Sequence, residues 1–478
     1  MAFNSYSYLG FLAAAVILFW VLPNRWRGAY VLLVSVIYYA SWDPFFVLLP
    51  LSYGAMVYLF GQRMRIQPDA GGRWMWMGIA LVLLVLGFFK YRQFLLETSN
   101  SLLTSLALQP ASFALSLALP LGISFYTFEA ISCLVDARQG RVGKTSLLDL
   151  CNFIMFWPHL MAGPIVRVRE LIPQFKFEVK FSSRFLVGGL DRLIWGLVQK
   201  NAMANPIGAW VEQGFQMGRS HSTVDAWLLA AAFGLQIYFD FAGYSNMAIG
   251  AAQLLGIRLP ENFRYPYHAA NPADFWSRWH MTLSRWVRDY LFFPVNARLH
   301  GKPGPLYRSL LLVMALVGLW HGAGWGFVLW GTLHGAYLVL YRIYESLQSS
   351  RFPGLAGSRL AAMVWRGFTL AAITAAWIPF RASTVAQAGE LLNSMFLQWS
   401  WGTSFSSTFY GAVVLGGLFC LVEPYLVRFL SWLDQAASER RSAHAAAMVV
   451  TRAVTYACGL LLFMIFDQQD TQFIYFQF

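Results

Sequence analysis

One histidine of this chain lies where an ionisable side chain is costly. His321 is flanked by Trp320 and Gly322. The run around it, Leu310–Tyr341, is largely apolar. Ionisable groups in membrane-spanning sequence mark functional sites by default, and an imidazole takes up and returns a proton near neutral pH. From these residues alone, catalysis by His321 and the packing of a core histidine are equal alternatives.

A second histidine, His280, lies in a stretch rich in tryptophan. Apolar residues recur there at three- and four-residue steps, which predicts one face of a helix: Trp276, Trp279, Leu283, Trp286 and Tyr290. Charged residues fall on the opposite side: Arg278, Arg285 and Asp289. One interpretation is an interfacial amphipathic helix with a basic face. The other places His280, which falls on the apolar side, in a site near the cytoplasmic surface, with Arg278 as a candidate to line the substrate path.

Further polar residues occur within the apolar segment 236–250. Asp240, Tyr244 and Asn246 are candidates to line a site. A buried aspartate must be neutral or paired, and we expect its partner to be an arginine or histidine from the following loop. A structural network between helices is favoured over direct catalysis here.

A broken apolar segment surrounds His159. Pro158, Gly163 and Pro164 rule out an uninterrupted helix over 156–169. Irregular backbone at membrane depth usually lines a cavity. His159 is therefore a candidate site-lining residue, with a packing role slightly favoured.

Composition places these residues in a membrane. The 478 residues are 58% hydrophobic and 12% charged, whereas soluble domains carry about 25% charged residues. The net charge of +13 fits cytoplasmic loops and anionic lipid better than nucleic acid. The sequence has no H-E-x-x-H pair, no phosphate-binding P-loop and no G-x-S-x-G turn, so metal-dependent and nucleotide-driven chemistry is unsupported.

Apolar runs predict about twelve spans, because a span needs about 20 mostly apolar residues. They lie near 6–22, 29–42, 44–60, 74–89, 121–137, 186–206, 224–240, 307–323, 325–343, 361–379, 408–426 and 449–466. The segments 96–119 and 148–164 are expected to insert only in part. Lys and Arg are concentrated in loops of one parity, which predicts that both ends of the chain lie outside.

Five ordered motifs resemble the membrane-bound O-acyltransferase (MBOAT) family, in its bacterial alginate O-acetyltransferase-like branch. They are Leu119–Phe128, Pro158–Pro164, Tyr238–Ser245, Phe275–His280 and Trp320–Gly322. The terminal segments Phe3–Tyr6 and Phe473–Phe478 are also similar to that branch. The resemblance covers nearly the whole chain.

The resemblance implies an all-α polytopic membrane protein. It implies a ring of about 11–13 transmembrane helices, with re-entrant and interfacial helices, around a central tunnel. We expect one integral membrane domain over 1–478. Within it, the catalytic core would span 119–340 and C-terminal membrane helices would span 341–478.

The resemblance also implies a reaction. His321 matches the family's catalytic histidine and His280 the second histidine of the branch. The implied activity is O-acyl transfer, most simply of acetyl, from a cytoplasmic thioester (acetyl-CoA or an acyl carrier protein) toward hydroxyls of an exported cell-surface polysaccharide. The implied setting is the bacterial inner membrane. The implied partners are an extracytoplasmic SGNH-type acetyl-handling protein, a polysaccharide-synthesis complex and membrane lipids.

Two departures from the alginate pattern leave the acceptor open. Asn246 stands where that branch usually has aspartate, and the segment after Tyr290 lacks a glycine-rich turn. Cellulose, peptidoglycan or another glycan is equally compatible as acceptor, and D-alanyl as acyl group. A transporter or flippase is the alternative outside acyl transfer, but neither repeated halves nor paired intramembrane charges are evident from the sequence.

Overall fold

A computed structural model describes residues 1–110, 118–217, 221–298, 303–351, 358–439, 443–466 and 473–474. Across these ranges the chain is helical, with no strand. The α-helices are α1 (Tyr6–Val21), α2 (Asn24–Ala40), α3 (Leu48–Ile66), α4 (Gly71–Leu86), α5 (Arg92–Ser105), α6 (Ile123–Arg138), α7 (Leu147–Met155), α8 (Trp157–Leu160), α9 (Val168–Leu171), α10 (Ser183–Leu197), α11 (Asn205–Gln216), α12 (Thr223–Leu254), α13 (Pro272–Trp276), α14 (Met281–Val287), α15 (Phe293–Arg298), α16 (Pro303–His321), α17 (Trp325–Arg351), α18 (Arg359–Arg381), α19 (Val385–Phe396), α20 (Ser407–Glu439) and α21 (Ala443–Phe466). Three π-helical segments (Gly87–Tyr91, Val198–Ala204 and Arg288–Phe292) and two 3₁₀ turns (Ile172–Lys176 and Pro266–His268) join some of them.

The first compact unit comprises residues 1–193 and 247–260. Its centre is α3, which packs against α4, α6 and α7, while α2 packs against α7. A capping box between Ser146 and Asp149 fixes the start of α7. The helix ends at Met155, shortly before Pro158, because a proline removes a backbone donor and clashes with the preceding turn. This confirms the predicted interruption within 148–164.

The second compact unit comprises residues 194–246 and 261–478. It contains most of α12, whose most apolar stretch is largely buried inside the protein. The antiparallel helices α16 and α17 form the most extensive helix pair, and α17 also contacts α13 and α18. The π-helical segment Val198–Ala204 packs against α11 and α21.

Five helices in the described ranges are long and apolar enough to cross a membrane. They are Gly71–Ser105, Thr223–Leu254, Arg359–Arg381, Ser407–Phe429 and Val449–Phe466. Tyr6–Val21 and Pro305–His321 are shorter apolar helices. An all-α, multi-pass membrane protein is thereby confirmed. The larger number of spans stays a prediction, because several predicted spans coincide with shorter or more polar helices such as the 17-residue α2.

Glycines let α16 and α17 approach with their backbones nearly touching. A Cβ atom built on Gly331 would lie 2.1 Å from the carbonyl oxygen of Met314, and one on Gly318 would lie 2.1 Å from that of Phe327. No side chain fits at such distances, and the obstacle is rigid backbone. Small residues at helix contacts are the usual means of close packing inside membranes.

We expect Gly331→Ala to destabilise the protein by about 1–3 kcal/mol, because a methyl group at this contact forces the two helices apart. The midpoint of thermal unfolding in detergent micelles measures the effect. The matched control is Gly367→Ala in α18, where a Cβ meets nothing within 4 Å. Equal midpoints for the two variants would contradict this packing.

Candidate active site

His321 is the last residue of α16 and is enclosed by aromatic rings. The helix ends there, and α17 begins at Trp325 after a turn containing Gly322 and Gly324. The imidazole is 3% exposed. Its ring centroid lies 5.0 Å from that of Trp330, edge to face, and 5.5 Å from that of Phe380. These rings keep bulk water away from the imidazole.

The segment around His280 is not the continuous helix that its spacing predicts. α13 ends at Trp276 and α14 begins at Met281, so the prediction of one helical face over 274–290 is wrong. His280 stands at the break in the left-handed region, with φ 40° and ψ 54°. A non-glycine residue in such a conformation costs about 1–3 kcal/mol, and such strain is concentrated at functional sites.

Asn262 holds His280 in this conformation. The backbone N–H of Met281 donates to the Asn262 carbonyl at 2.8 Å. The His280 Nδ1 and the Thr282 hydroxyl both donate to Asn262 Oδ1, at 3.0 and 2.9 Å. Asn262 Nδ2 in turn donates to the Ser245 hydroxyl on α12 at 3.1 Å. Asn262 therefore links the strained turn to the long helix.

These hydrogen bonds fix the tautomer of His280. The carboxamide oxygen of Asn262 can only accept, so Nδ1 carries the proton and Nε2 carries the lone pair. The His280 side chain, between α13 and α14, is fully buried. Burial lowers the pKa of His280 to about 3, so the imidazole is neutral at neutral pH. The rings of Phe241 and His280 pack edge to face, with 4.7 Å between their centroids, which further restrains the imidazole.

The indole of Trp320 lies next to both histidines. Its ring centroid is 4.9 Å from that of His321 and 6.4 Å from that of His280. Two motifs separated by 40 residues of sequence thus meet around one tryptophan. The structure brings together the two histidines that the sequence singles out, on adjoining elements of the second unit.

Asp240 has a different partner from the one expected. Lys200 Nζ lies 2.5 Å from Asp240 Oδ1, and both side chains are at most 6% exposed. The expected partner was an arginine or histidine from the following loop, and that prediction is wrong. Lys200 instead comes from the π-helical segment Val198–Ala204, which precedes α12. The Ile474 backbone N–H donates to Asp240 Oδ2 at 2.8 Å, so the carboxylate also anchors this distant segment.

Tyr244 and Asn246 extend the same network. The Tyr244 ring stacks on Phe473 with 4.6 Å between centroids. Asn246 Nδ2 donates to Gln199 Oε1 at 2.7 Å. Asp240 and Tyr244 are four residues apart and so share a helix face. That face contacts the Phe473–Ile474 segment.

Arg278 lies outside this cluster. Its Nε donates to Asp274 Oδ1 at 2.8 Å, and the side chain is a quarter exposed. Burial raises the pKa of the Asp274 carboxyl, but hydrogen bonds from Arg278 and from the Ala270 N–H outweigh burial and hold that pKa below its usual value. Arg278 thereby stabilises α13 as an i,i+4 pair. Its role in lining a substrate path stays a prediction.

His159 belongs to the first unit and pairs with a carboxylate. Its Nδ1 lies 3.0 Å from Glu129 Oε1 on α6, and both side chains are at most 2% exposed. The Phe156 ring lies beside the imidazole, with 5.6 Å between centroids. This buried pair accounts for the presence of His159 within the broken segment. A role in lining the site stays a prediction.

Sequence reasoning missed three residues that hold these networks together. Lys200 and Glu129 each lie inside a predicted span, and a charged residue there is itself a signal. Asn262 lies in a polar loop, where an asparagine attracts no notice. No cluster of three or more metal-binding side chains occurs in the described part of the chain.

Comparison with known proteins identifies the family. The sequence model of the membrane-bound O-acyltransferase family matches residues 69–378. The chain belongs to the membrane-bound O-acyltransferase family. The chain is an enzyme that transfers acyl groups to hydroxyls, because proteins similar to it are an O-acetyltransferase and probable O-acetylases.

Three relatives show how far this similarity extends. The probable alginate O-acetylase AlgI of Pseudomonas putida is 34% identical over 502 residues, covering 100% of both chains. The peptidoglycan O-acetyltransferase of Helicobacter pylori is 35% identical over 404 residues, covering 78% of this chain and 73% of its own. The teichoic acid D-alanyltransferase of Bacillus subtilis is 30% identical over 234 residues, covering 47% of this chain and 59% of its own.

The arrangement suits acyl transfer chemically. An imidazole in a water-poor aromatic cage is a competent base for a hydroxyl, because little bulk water competes for the hydroxyl proton. A second neutral histidine of fixed tautomer presents a lone pair at Nε2. In this O-acyltransferase both histidines are rigidly oriented by neighbouring rings or hydrogen bonds.

Proposed function

We propose that this membrane-bound O-acyltransferase moves an acetyl group from a cytoplasmic thioester toward hydroxyls of an exported cell-surface polysaccharide. The observation that carries the proposal is the convergence of His321 and His280 on Trp320. We infer that the enzyme lies in the bacterial inner membrane. We assign the catalytic core to 119–340, which contains both histidines, and the remaining membrane helices to 341–478.

In the proposed reaction, His321 is the general base. It takes the proton of the acceptor hydroxyl as the oxygen attacks the carbonyl carbon of the thioester. The C–S bond then breaks, the thiolate leaves, and His321 returns the proton to sulfur. The products are an ester and a free thiol, so atoms and charge balance. General base catalysis of this kind contributes about 10²–10⁴-fold to the rate.

His280 has a positioning role in this proposal. Its conformation is strained and its tautomer is fixed by Asn262, so the nitrogen that can accept a hydrogen bond is defined. We propose that it orients the thioester donor arriving from the cytoplasmic side. The donor is acetyl-CoA or an acetylated acyl carrier protein.

The relatives favour acetyl over D-alanyl. Those named for O-acetylation match over 78–100% of this chain, whereas the teichoic acid D-alanyltransferase of Bacillus subtilis matches over 47%. We propose that the acetyl group reaches the glycan through an extracytoplasmic SGNH-type partner within a polysaccharide-synthesis complex. Such a relay would join a donor made inside to an acceptor outside.

The donor assignment is tested with the purified full chain in proteoliposomes. Release of free thiol is followed with acetyl-CoA, with acetylated acyl carrier protein and with a D-alanylated carrier protein, in the presence of the acceptor glycan and the extracytoplasmic SGNH-type partner. We expect one of the two acetyl donors to be consumed fastest, and His321→Phe to consume none above background. Preference for the D-alanylated carrier, or no consumption of any thioester, would contradict the proposal.

A further inference from the structure

Exposed basic side chains lie together at one end of the first compact unit. They come from the end of α3, the start of α4, the end of α6 and the loop after α6. This basic cluster consists of Arg63, Arg65, Arg73, Arg138, Arg141 and Lys144. Every charged residue of this unit belongs to the described part of the chain, so the charge balance of the unit is complete. The proposed reaction uses none of the six.

Short contacts bring these segments together. A Cβ atom built on Gly71, the first residue of α4, would lie 3.2 Å from Cδ of Arg138, so this arginine crosses the start of α4. The Arg63 guanidinium lies 5.8 Å from the ring centroid of Trp74, also on α4. Arg65 donates to two backbone carbonyls of the loop after α6. The three helices and the loop therefore present their cations at one surface.

Acidic side chains do not neutralise this surface. Three acidic residues lie in the same stretches of sequence, 63–73 and 136–149. Asp136 is fully buried and pairs with one arginine of the cluster at 3.5 Å. Asp149 is held in the capping box at the start of α7. Asp69 is the one acidic residue of these stretches that is exposed, so the basic cluster keeps a net positive charge.

An exposed apolar face of α4 begins directly beside the cluster. Met77, Leu81 and Leu84 follow Arg73 at steps of four, four and three residues, so they share its face of the helix. They are 43%, 45% and 70% exposed. The helix is apolar and long enough to cross a membrane, and little of it is buried inside the protein. Trp76, beside this face, is also exposed, as expected of an indole at the level of lipid headgroups.

We propose that the basic cluster binds the headgroup of an anionic phospholipid. Guanidinium groups present a planar fork of donors that suits phosphate oxygens. The acyl chains of the lipid lie along the exposed apolar face of α4. Each basic residue beside a membrane-spanning helix strengthens the binding of anionic lipid by about fivefold. The proposal does not depend on the reaction assigned to the enzyme.

The surface fits a lipid better than the phosphates of coenzyme A. The cavity beside Arg65, which Gln62 and Cys133 also line, has a volume of about 10 Å³. This volume holds a single water molecule and is too small for an adenine ring. A soluble nucleotide would also leave the apolar face of α4 uncovered, whereas acyl chains cover it. The combination of exposed cations with an exposed apolar face therefore favours a lipid.

Native mass spectrometry of the purified full chain tests this proposal. The chain in detergent micelles is titrated with dioleoylphosphatidylglycerol, which is anionic, and with dioleoylphosphatidylethanolamine, which is zwitterionic and has the same acyl chains. We expect the anionic lipid to bind at least tenfold more tightly. The preference should shrink as the salt concentration rises, because salt screens exposed charges. Equal binding of the two lipids would overturn the proposal.

Substitutions then locate the lipid. Arg63→Gln, Arg73→Gln and Arg138→Gln combined are expected to weaken binding of phosphatidylglycerol at least tenfold. These side chains are exposed, so the thermal unfolding midpoint without added lipid should change little. Should the triple variant fail to fold, Arg73→Gln alone is expected to weaken binding about threefold to fivefold. Binding that is unchanged in a folded variant would contradict the site.

A matched control separates the cluster from overall charge. It replaces three other exposed cations of the same unit with glutamine: Arg169, Lys176 and Lys180. Two glutamates lie among them in the sequence, so this variant should change lipid binding by less than about twofold. A loss as large as that of the cluster variant would overturn the proposal. Displacement of the lipid by coenzyme A or by an acidic acyl carrier protein would also overturn it and assign the cluster to the thioester donor.

Discussion

Replacing His321 with phenylalanine is expected to lower the turnover number by about 10²–10⁴-fold, because the general base is lost. Phenylalanine keeps a planar ring inside the cage, so the contacts with Trp330 and Phe380 are retained. The thermal unfolding midpoint should therefore change little. Thiol release from the thioester donor, measured at saturating donor and acceptor, reports the turnover number.

A matched control separates chemistry from packing. His334 is another buried histidine against Trp330, with 4.7 Å between ring centroids. His334→Phe should keep most of the turnover number, because this imidazole packs against the rings of Trp276 and Trp330. If the two variants lose activity equally while both remain folded, the assignment of His321 as the general base is contradicted.

Breaking the buried Lys200–Asp240 pair is expected to have the largest effect on stability. Lys200→Met leaves a carboxylate without its cation at a site that is almost fully buried. Removing one partner of a buried ion pair typically costs about 3–5 kcal/mol, since the remaining charge is desolvated without compensation. The change in free energy of unfolding, from denaturant titration in mixed micelles, measures this cost.

A double variant and a surface pair provide the controls. Lys200→Met combined with Asp240→Asn removes both charges and keeps an acceptor for the Ile474 N–H, so it should recover much of the loss. Glu345→Gln breaks an exposed ion pair in which the Arg342 guanidinium and Glu345 Oε2 are 2.7 Å apart. This change should lower the free energy of unfolding by less than about 1 kcal/mol. A double variant no more stable than Lys200→Met would show that the cost does not come from an uncompensated charge.

Local features of the site were predictable from the sequence. The helix break after His321 follows from Gly322 and Gly324, because glycine ends helices readily. The helix interruption near His159 follows from Pro158, because proline cannot donate a backbone hydrogen bond. These features depend on residues that are adjacent in the chain, so their spacing carries the information.

Features that depend on distant residues were not predictable. The pattern of tryptophans around His280 suits a continuous helix, yet the chain turns at His280 because Asn262 binds both its side chain and the next backbone N–H. The partner of Asp240 was missed because Lys200 lies within the apolar segment 186–206, which the sequence predicts to be a membrane span. In both cases one long-range polar contact outweighs local periodicity.

The most direct test of the account is the O-acetyl content of the cell-surface glycans, measured by mass spectrometry. Cells that lack this chain are compared with cells that carry it either unchanged or as His321→Phe, at equal amounts of membrane-inserted protein. We predict that O-acetyl esters appear with the unchanged chain and are absent with His321→Phe. Equal O-acetylation in the presence of His321→Phe would contradict the central claim that this histidine catalyses acyl transfer to an exported glycan.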